Sequence, residues 1–154
     1  DRDDVDQLAY VAAFALLPDE AVLGALTSFD QREVALAGAM VPNDDGSITT
    51  VTEEGAPTSF YGSCPAEAVA AALPRLGPQP LATMVQPTTG SPLGRIPSTY
   101  VACSRDQAVH PDHQATMAER CDQHVTLDTE HSPFVSAIPE LADVIEGLAR
   151  EASA

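Results

Sequence analysis

The sequence predicts an α/β fold built on a parallel sheet. Three observations carry that expectation. Residues 98 to 150 alternate strand, helix, strand and helix, the pattern of adjacent parallel strands joined by a right-handed crossover. The run Leu8 to Leu17 is apolar without polar alternation, which suits a strand covered on both faces, although period alone leaves a buried helix open. Hydrophobic residues make up 44% of the 154 residues and charged residues 19%, a composition for a packed core and not for a disordered chain. That length suits one compact domain or half of a larger one.

Each element has a local reason. After the first apolar run, Pro18-Asp19-Glu20 reads as a helix start with acidic residues in its first turn. Leu36 to Val41 and Ile48 to Val51 flank Asn43-Asp44-Asp45-Gly46, an Asp-Gly hairpin signal. Ser63-Cys64-Pro65 opens a helix with Glu67 in its first turn, with Val69, Ala72 and Leu73 on one face, and Pro74 stops it. Residues 74 to 97 are crowded with proline and glycine. Their interspersed Leu81, Met84, Val85 and Leu93 suit an extended connection crossing a surface. Ser98 to Ser104 is a strand rich in β-branched and aromatic residues, Pro111 to Cys121 a helix, and His124 to Leu127 a second strand. Pro139 to Arg150 is an amphipathic helix with Leu141, Val144, Ile145 and Leu148 on one side.

Charge and cysteine content narrow the function. Asp and Glu number 23 against 7 basic residues, a net charge of -16 that would repel a phosphate backbone or an anionic membrane. The expectation is therefore no nucleic-acid partner and no membrane partner. All the basic residues are Arg, so the chain alone has neither a Schiff-base lysine nor a P-loop lysine. Cys64, Cys103 and Cys121 are odd in number and widely spaced, which fits a reducing, cytoplasmic setting better than a disulfide framework. The start, Asp1-Arg2-Asp3-Asp4, lacks the pattern of a signal peptide and has no Met, which suggests a chain starting partway through something.

In open parallel sheets, functional side chains gather at the carboxyl ends of strands. Asp106 follows the strand ending near Ser104, and His131 follows the strand ending at Leu127. Neighbouring parallel strands lie about 4.8 Å apart, so the two side chains are within reach of a hydrogen bond. A carboxylate that fixes a His in one tautomer supplies two-thirds of a nucleophile-activating triad. Asp112 and Asp128 stand as alternative orienters. His110, His113, Cys121 and His124 have ligand-like gaps, but His113 and Cys121 lie about 12 Å apart along one helix, so no metal or cofactor is expected. Phe14, Phe60, Tyr61 and Phe134 are candidates to line a substrate pocket, with ordinary core packing the alternative for the first three. Cys103, inside a strand, reads as an inert core thiol.

Four segments resemble a known family. Leu8-Ala9-Tyr10-Val11-Ala12-Ala13-Phe14 followed by Pro18 is similar to the strand after the nucleophile helix of an α/β-hydrolase. Phe60-Tyr61-Gly62-Ser63-Cys64-Pro65 resembles a cap segment of bacterial members. Pro97 to Asp106 resembles the strand that delivers the triad Asp. Leu127 to Phe134 with Pro139-Glu140-Leu141-Ala142 resembles the triad-His loop and terminal helix. The chain as a whole looks like the C-terminal half of such a protein, of the small-capped carboxylesterase type that includes plant methylesterases, hydroxynitrile lyases and bacterial relatives. The resemblance implies three core strands and a mixed helix and hairpin cap. Residues 1–18 would be core strand and connection, 19–95 the cap, and 96–154 the C-terminal core. It also implies His131 as base, Asp106 as its partner and a small-molecule ester as substrate.

The departure is the nucleophile. The family's Gly-x-Ser-x-Gly turn does not occur in this sequence. It is expected about 15 to 30 residues before Asp1, one helix away. The partner implied is the missing N-terminal half, and the chain alone is expected to be inactive and to self-associate, for instance as a homodimer, through its open sheet edge. Hydroxynitrile lyase chemistry is the enzymatic alternative, although Ser132 stands where those enzymes carry Lys. A non-catalytic interaction module is the alternative from another class.

Overall fold

A computed structural model describes residues 5–152, so the acidic start Asp1-Arg2-Asp3-Asp4 lies outside the described residues. In chain order the elements are β1 (Leu8–Val11), α1 (Val22–Ser28), α2 (Ala35–Ala39), β2 (Met40–Pro42), β3 (Ile48–Val51), α3 (Ala56–Phe60) and α4 (Ala66–Ala72). A 3-10 turn (Leu73–Arg75) continues α4. Then come β4 (Gln79–Pro80), α5 (Ala82–Val85), β5 (Ser98–Cys103), α6 (Pro111–Ala118), β6 (Gln123–Leu127), α7 (Pro133–Ser136) and α8 (Ile138–Ala152).

Among the described residues two small sheets result. The first has the order β1-β5-β6 and is parallel throughout, with Leu8 opposite Ser98, and Cys103 opposite Leu127. The crossover α6 starts at Pro111, whose missing N–H costs nothing in a first turn. The His110 ring accepts the Asp112 N–H and caps it. Ala15, Tyr100, Val109, Met117 and Ala118 form a buried cluster between α6 and the sheet. The Tyr100 hydroxyl, deep in that cluster, donates to the Ala13 carbonyl at 2.7 Å, so burying it leaves no unpaired polar group.

The second sheet, β2-β3-β4, is antiparallel and belongs to the long connection between β1 and β5. Its hairpin turns at Gly46, whose φ of +70° is the left-handed conformation that glycine adopts without steric cost. Asn43 and Asp45 brace the turn by accepting the N–H groups of Ile48 and Ser47.

Three local expectations need correction. Leu8–Leu17 is not a strand covered on both faces. Only Leu8–Val11 is extended, it is half-exposed, and among the described residues it pairs on one side alone. The strand with that burial is β5, whose six residues include five that are buried. The first helix does not begin at Pro18-Asp19-Glu20. Asp19 adopts a left-handed φ of 62°, and Glu20 is drawn off to the Leu17 N–H and to Arg120, so α1 starts at Val22. Leu36 to Val41 is not one strand, because Ala35–Ala39 is helical and only Met40–Pro42 pairs. The terminal amphipathic helix is present as α8, with no buried residue. Among the described residues no helix is long and apolar enough to cross a membrane.

Candidate active site

The ladder between β5 and β6 does not stop at the strand ends. Ser104 N–H donates to the Leu127 carbonyl at 3.0 Å, and Arg105 N–H donates to the Thr129 carbonyl at 2.9 Å. The two loops therefore leave the sheet side by side, which carries Asp106 and His131 to the same point. His131 Nδ1 lies 2.8 Å from Asp106 Oδ2. A carboxylate only accepts, so Nδ1 carries a proton in this contact. The Asp106 side chain is wholly buried, whereas that of His131 is 26% exposed.

Asp106 is held on four sides. Its Oδ1 accepts the N–H groups of Ala108 and Val109 at 2.7 and 2.9 Å, a turn that its own side chain closes. Its Oδ2 accepts from Gln114 Nε2 at 2.9 Å as well as from His131. Gln114, buried on α6, also accepts the Cys103 N–H at 2.9 Å and donates to the Val109 carbonyl at 2.8 Å. It binds the end of β5, the Asp106 turn and the crossover helix into one unit. Sequence reasoning missed it, because a lone Gln on a helix reads as polar surface.

The alternative orienters lie elsewhere. Asp128 is 85% exposed and pairs with Arg105, while Asp112 pairs with Arg32. The Arg32 guanidinium keeps the Asp112 carboxyl below the usual range.

A second carboxylate was not anticipated. Glu130 precedes His131 and is 3% exposed. Burial disfavours its charge, but hydrogen bonds from the Ser63 hydroxyl and N–H, the Ser136 hydroxyl and the Cys64 thiol outweigh that and hold its pKa at about 2. Burial and that neighbouring carboxylate push the Cys64 thiol up to about 11. Cys103 is buried and pushed up to about 12, mainly by burial, which fits an unreactive core thiol.

The aromatic candidates separate. Phe60 stands against the His131 ring with centroids 5.6 Å apart, and Tyr61 meets Phe60 edge-on at 5.9 Å. Tyr61 also borders an open groove of about 600 Å³ whose walls include Pro57, Cys64, Val69 and Leu73. Phe14 packs against the core cluster under α6, and Phe134 is exposed. Of the four residues with ligand-like gaps, His110 and His113 meet with ring centroids 5.7 Å apart, but each has another partner. His110 caps α6, His113 Nε2 lies 2.8 Å from the Asp30 carbonyl, His124 is exposed on β6 and Cys121 is half-buried. Among the described residues no three His, Cys, Asp or Glu side chains group to hold a metal.

The sequence profile of the alpha/beta hydrolase family matches residues 3–144. The chain belongs to this family. Among its hydrolase relatives, Alpha/beta hydrolase nvfD of Aspergillus novofumigatus is 29% identical over 151 residues, covering 96% of this chain and 58% of that protein. A pyrethroid hydrolase from Sphingobium faniae superposes with a TM-score of 0.75 at 20% identity, over 96% of this chain and 62% of that one. Polyneuridine aldehyde esterase superposes with a TM-score of 0.76 at 12% identity, over 96% of this chain and 63% of that one. The last two likenesses show the alpha/beta hydrolase fold alone. The chain spans between 58% and 63% of the length of these relatives.

Proposed function

We propose that the chain is the C-terminal part of a serine carboxylesterase that cleaves small or medium apolar esters. One observation carries this reading: a wholly buried carboxylate, Asp106, accepts from Nδ1 of a partly exposed His131 at the carboxyl ends of adjacent parallel strands. With Nδ1–H committed to Asp106, the Nε2 lone pair takes the proton of a serine hydroxyl as it attacks the ester carbonyl. The resulting imidazolium, stabilised by Asp106, gives that proton to the leaving alcohol, and an acyl-enzyme remains. Water then attacks the acyl carbon, again losing its proton to Nε2, and the acid and free serine are regenerated.

The serine comes from outside these 154 residues, since no Gly-x-Ser-x-Gly turn occurs in them. The unpaired side of the half-exposed β1 is where the rest of the sheet would join. Residues 19–95 are the cap, and Phe60 is the wall of the pocket beside the base. Three free thiols fit a reducing, cytoplasmic setting.

The complete protein, assayed on short-chain apolar esters, is the test. His131→Ala and Asp106→Asn should each lower kcat by about 10³-fold or more while circular dichroism stays native. Near-normal esterase activity in His131→Ala would refute the assignment of the base. An upstream sequence lacking a nucleophile turn would refute the serine mechanism.

A further inference from the structure

Glu130 is buried, charged and adjacent to the proposed base, yet the proposed reaction gives it no step. Its contacts explain its place. Oε2 accepts the Ser63 N–H at 3.0 Å and the Ser63 hydroxyl, from a segment 67 residues away. Oε1 accepts the Cys64 thiol at 3.4 Å and the Ser136 hydroxyl at 2.7 Å. With Ser136 donating to Glu130, Thr129 donates to Ser136 across 2.6 Å. One carboxylate thus gathers donors from the stretch after α3 on one side and from α7 on the other. No buried side-chain polar atom among the described residues is left unpaired, so every donor that reaches this carboxylate is used.

The stretch it grips is continuous with the aromatic wall. Ser63 and Cys64 follow Phe60 within four residues, and the Tyr61 carbonyl accepts the Cys64 N–H at 2.9 Å, which closes a tight turn between them. Moving Ser63 away from Glu130 therefore moves Phe60 relative to His131. Cys64 and Tyr61 also border the open groove between α3 and α4.

We propose that Glu130 is a positioning residue that latches the Ser63–Cys64 turn to the His131 loop and so sets Phe60 against the imidazole as a wall for the apolar part of the substrate. The latch rests on the esterase reading for its role in turnover, but not for its geometry. Asp106, itself held by Gln114, fixes His131 separately. Opening the latch should therefore affect substrate placement more than proton transfer.

The test follows the His131 ring-proton resonance by NMR in the full chain, with Phe60→Leu as the calibration, since a packed aromatic ring shifts the protons beside it. Glu130→Gln and Ser63→Ala should each move that resonance in the same direction as Phe60→Leu. Ser63 is on the solvent side of the contact, so its loss leaves the core intact even where Glu130→Gln folds poorly. In the complete enzyme both variants should raise KM for an apolar ester about tenfold and leave kcat within about twofold, whereas a merely structural residue would lower the amount of active enzyme at constant KM. An unmoved His131 resonance in both variants would overturn the latch, and so would a Phe60→Leu spectrum identical to wild type. Absence of esterase activity in the wild-type complete protein would count against the esterase reading, and the resonance would still decide the latch.

Discussion

The region from Ser98 to Pro133 and the segment from Asp19 to Arg95 bury different kinds of side chain. The first buries Tyr100, Met117, Gln114, Asp106 and Thr129 completely. The second is closed around alanine and serine: Ala25, Ala39, Ala56, Ser59 and Ser91. Its helices are four to seven residues long, and none has a side-chain cap. Small contact areas stabilise little per residue, so this segment should open at a lower free energy than the strand–helix–strand region. The groups proposed to do chemistry sit in the rigid region, and the aromatic wall sits on the adaptable one. The proposed esterase would then adjust which ester it accepts without disturbing its base.

The strongest way to break that contrast is to loosen the rigid side. Gln114→Ala removes a buried side chain and leaves the Cys103 N–H without its acceptor and Asp106 without one donor. It should cost about 4 kcal/mol, measured by urea denaturation, with the first sheet and α6 losing protection together. A loss below about 1 kcal/mol would show that the rigid region does not depend on this residue.

Acid should act next, on the seam between the regions. The Glu130 carboxyl is held down from 4.5 to about 2, so the folded state favours its ionised form. The stability this contributes is fully present above pH 4.5, and is lost as pH falls toward 2. Stability measured from pH 5 to pH 2 should fall more steeply in wild type than in Glu130→Gln, which has no proton to gain there. Parallel curves would mean that other carboxylates govern acid unfolding.

The same contrast explains what could be read without coordinates. The strands and helix from Ser98 to Leu127 were legible because β-branched runs and a proline-led helix are local signals, and parallel strands force their following loops together. Asp106 and His131 came with them. Glu130 was not legible because its partners include Ser63, 67 residues away. The partners of Gln114 lie within eleven residues, but they meet it only once the crossover helix packs back against the end of β5. Apolar content marked Leu8 to Leu17 as something to be covered but could not say which strand would cover it. Asp19 and Glu20 have good first-turn chemistry, and a tertiary contact to Arg120 overrode it.

On the adaptable side, Gly55 marks the tightest approach. A Cβ there would fall 2.3 Å from the Ala39 Cβ and 2.9 Å from Thr52 Oγ1, so α2 and α3 pack closely only because the side chain is absent. Gly55→Ala should cost about 2 kcal/mol. If the regions respond separately, hydrogen exchange will quicken from residue 35 to 60 and stay unchanged in β5 and α6. Quickening throughout would show one cooperative unit.

The smallest effect is expected where the regions are strapped together. Arg120, just past α6, donates to both carboxylate oxygens of Glu20 at 2.7 and 3.1 Å and to the Ala15 carbonyl at 2.8 Å. Its guanidinium also lies 5.4 Å from the centre of the Phe29 ring. Both charged side chains are mostly buried, which shields the pair from salt. Arg120→Lys keeps the charge but loses the two-pronged geometry and the flat contact with the ring, and should cost about 1 kcal/mol. Exchange should quicken around Leu17 to Phe29 while the His131 ring resonance stays in place, because this strap holds the near end of the segment and Glu130 holds its middle, at Ser63 and Cys64. If Arg120→Lys shifts the His131 resonance as much as Ser63→Ala does, the two anchors are not independent and the segment moves as one lever about the core.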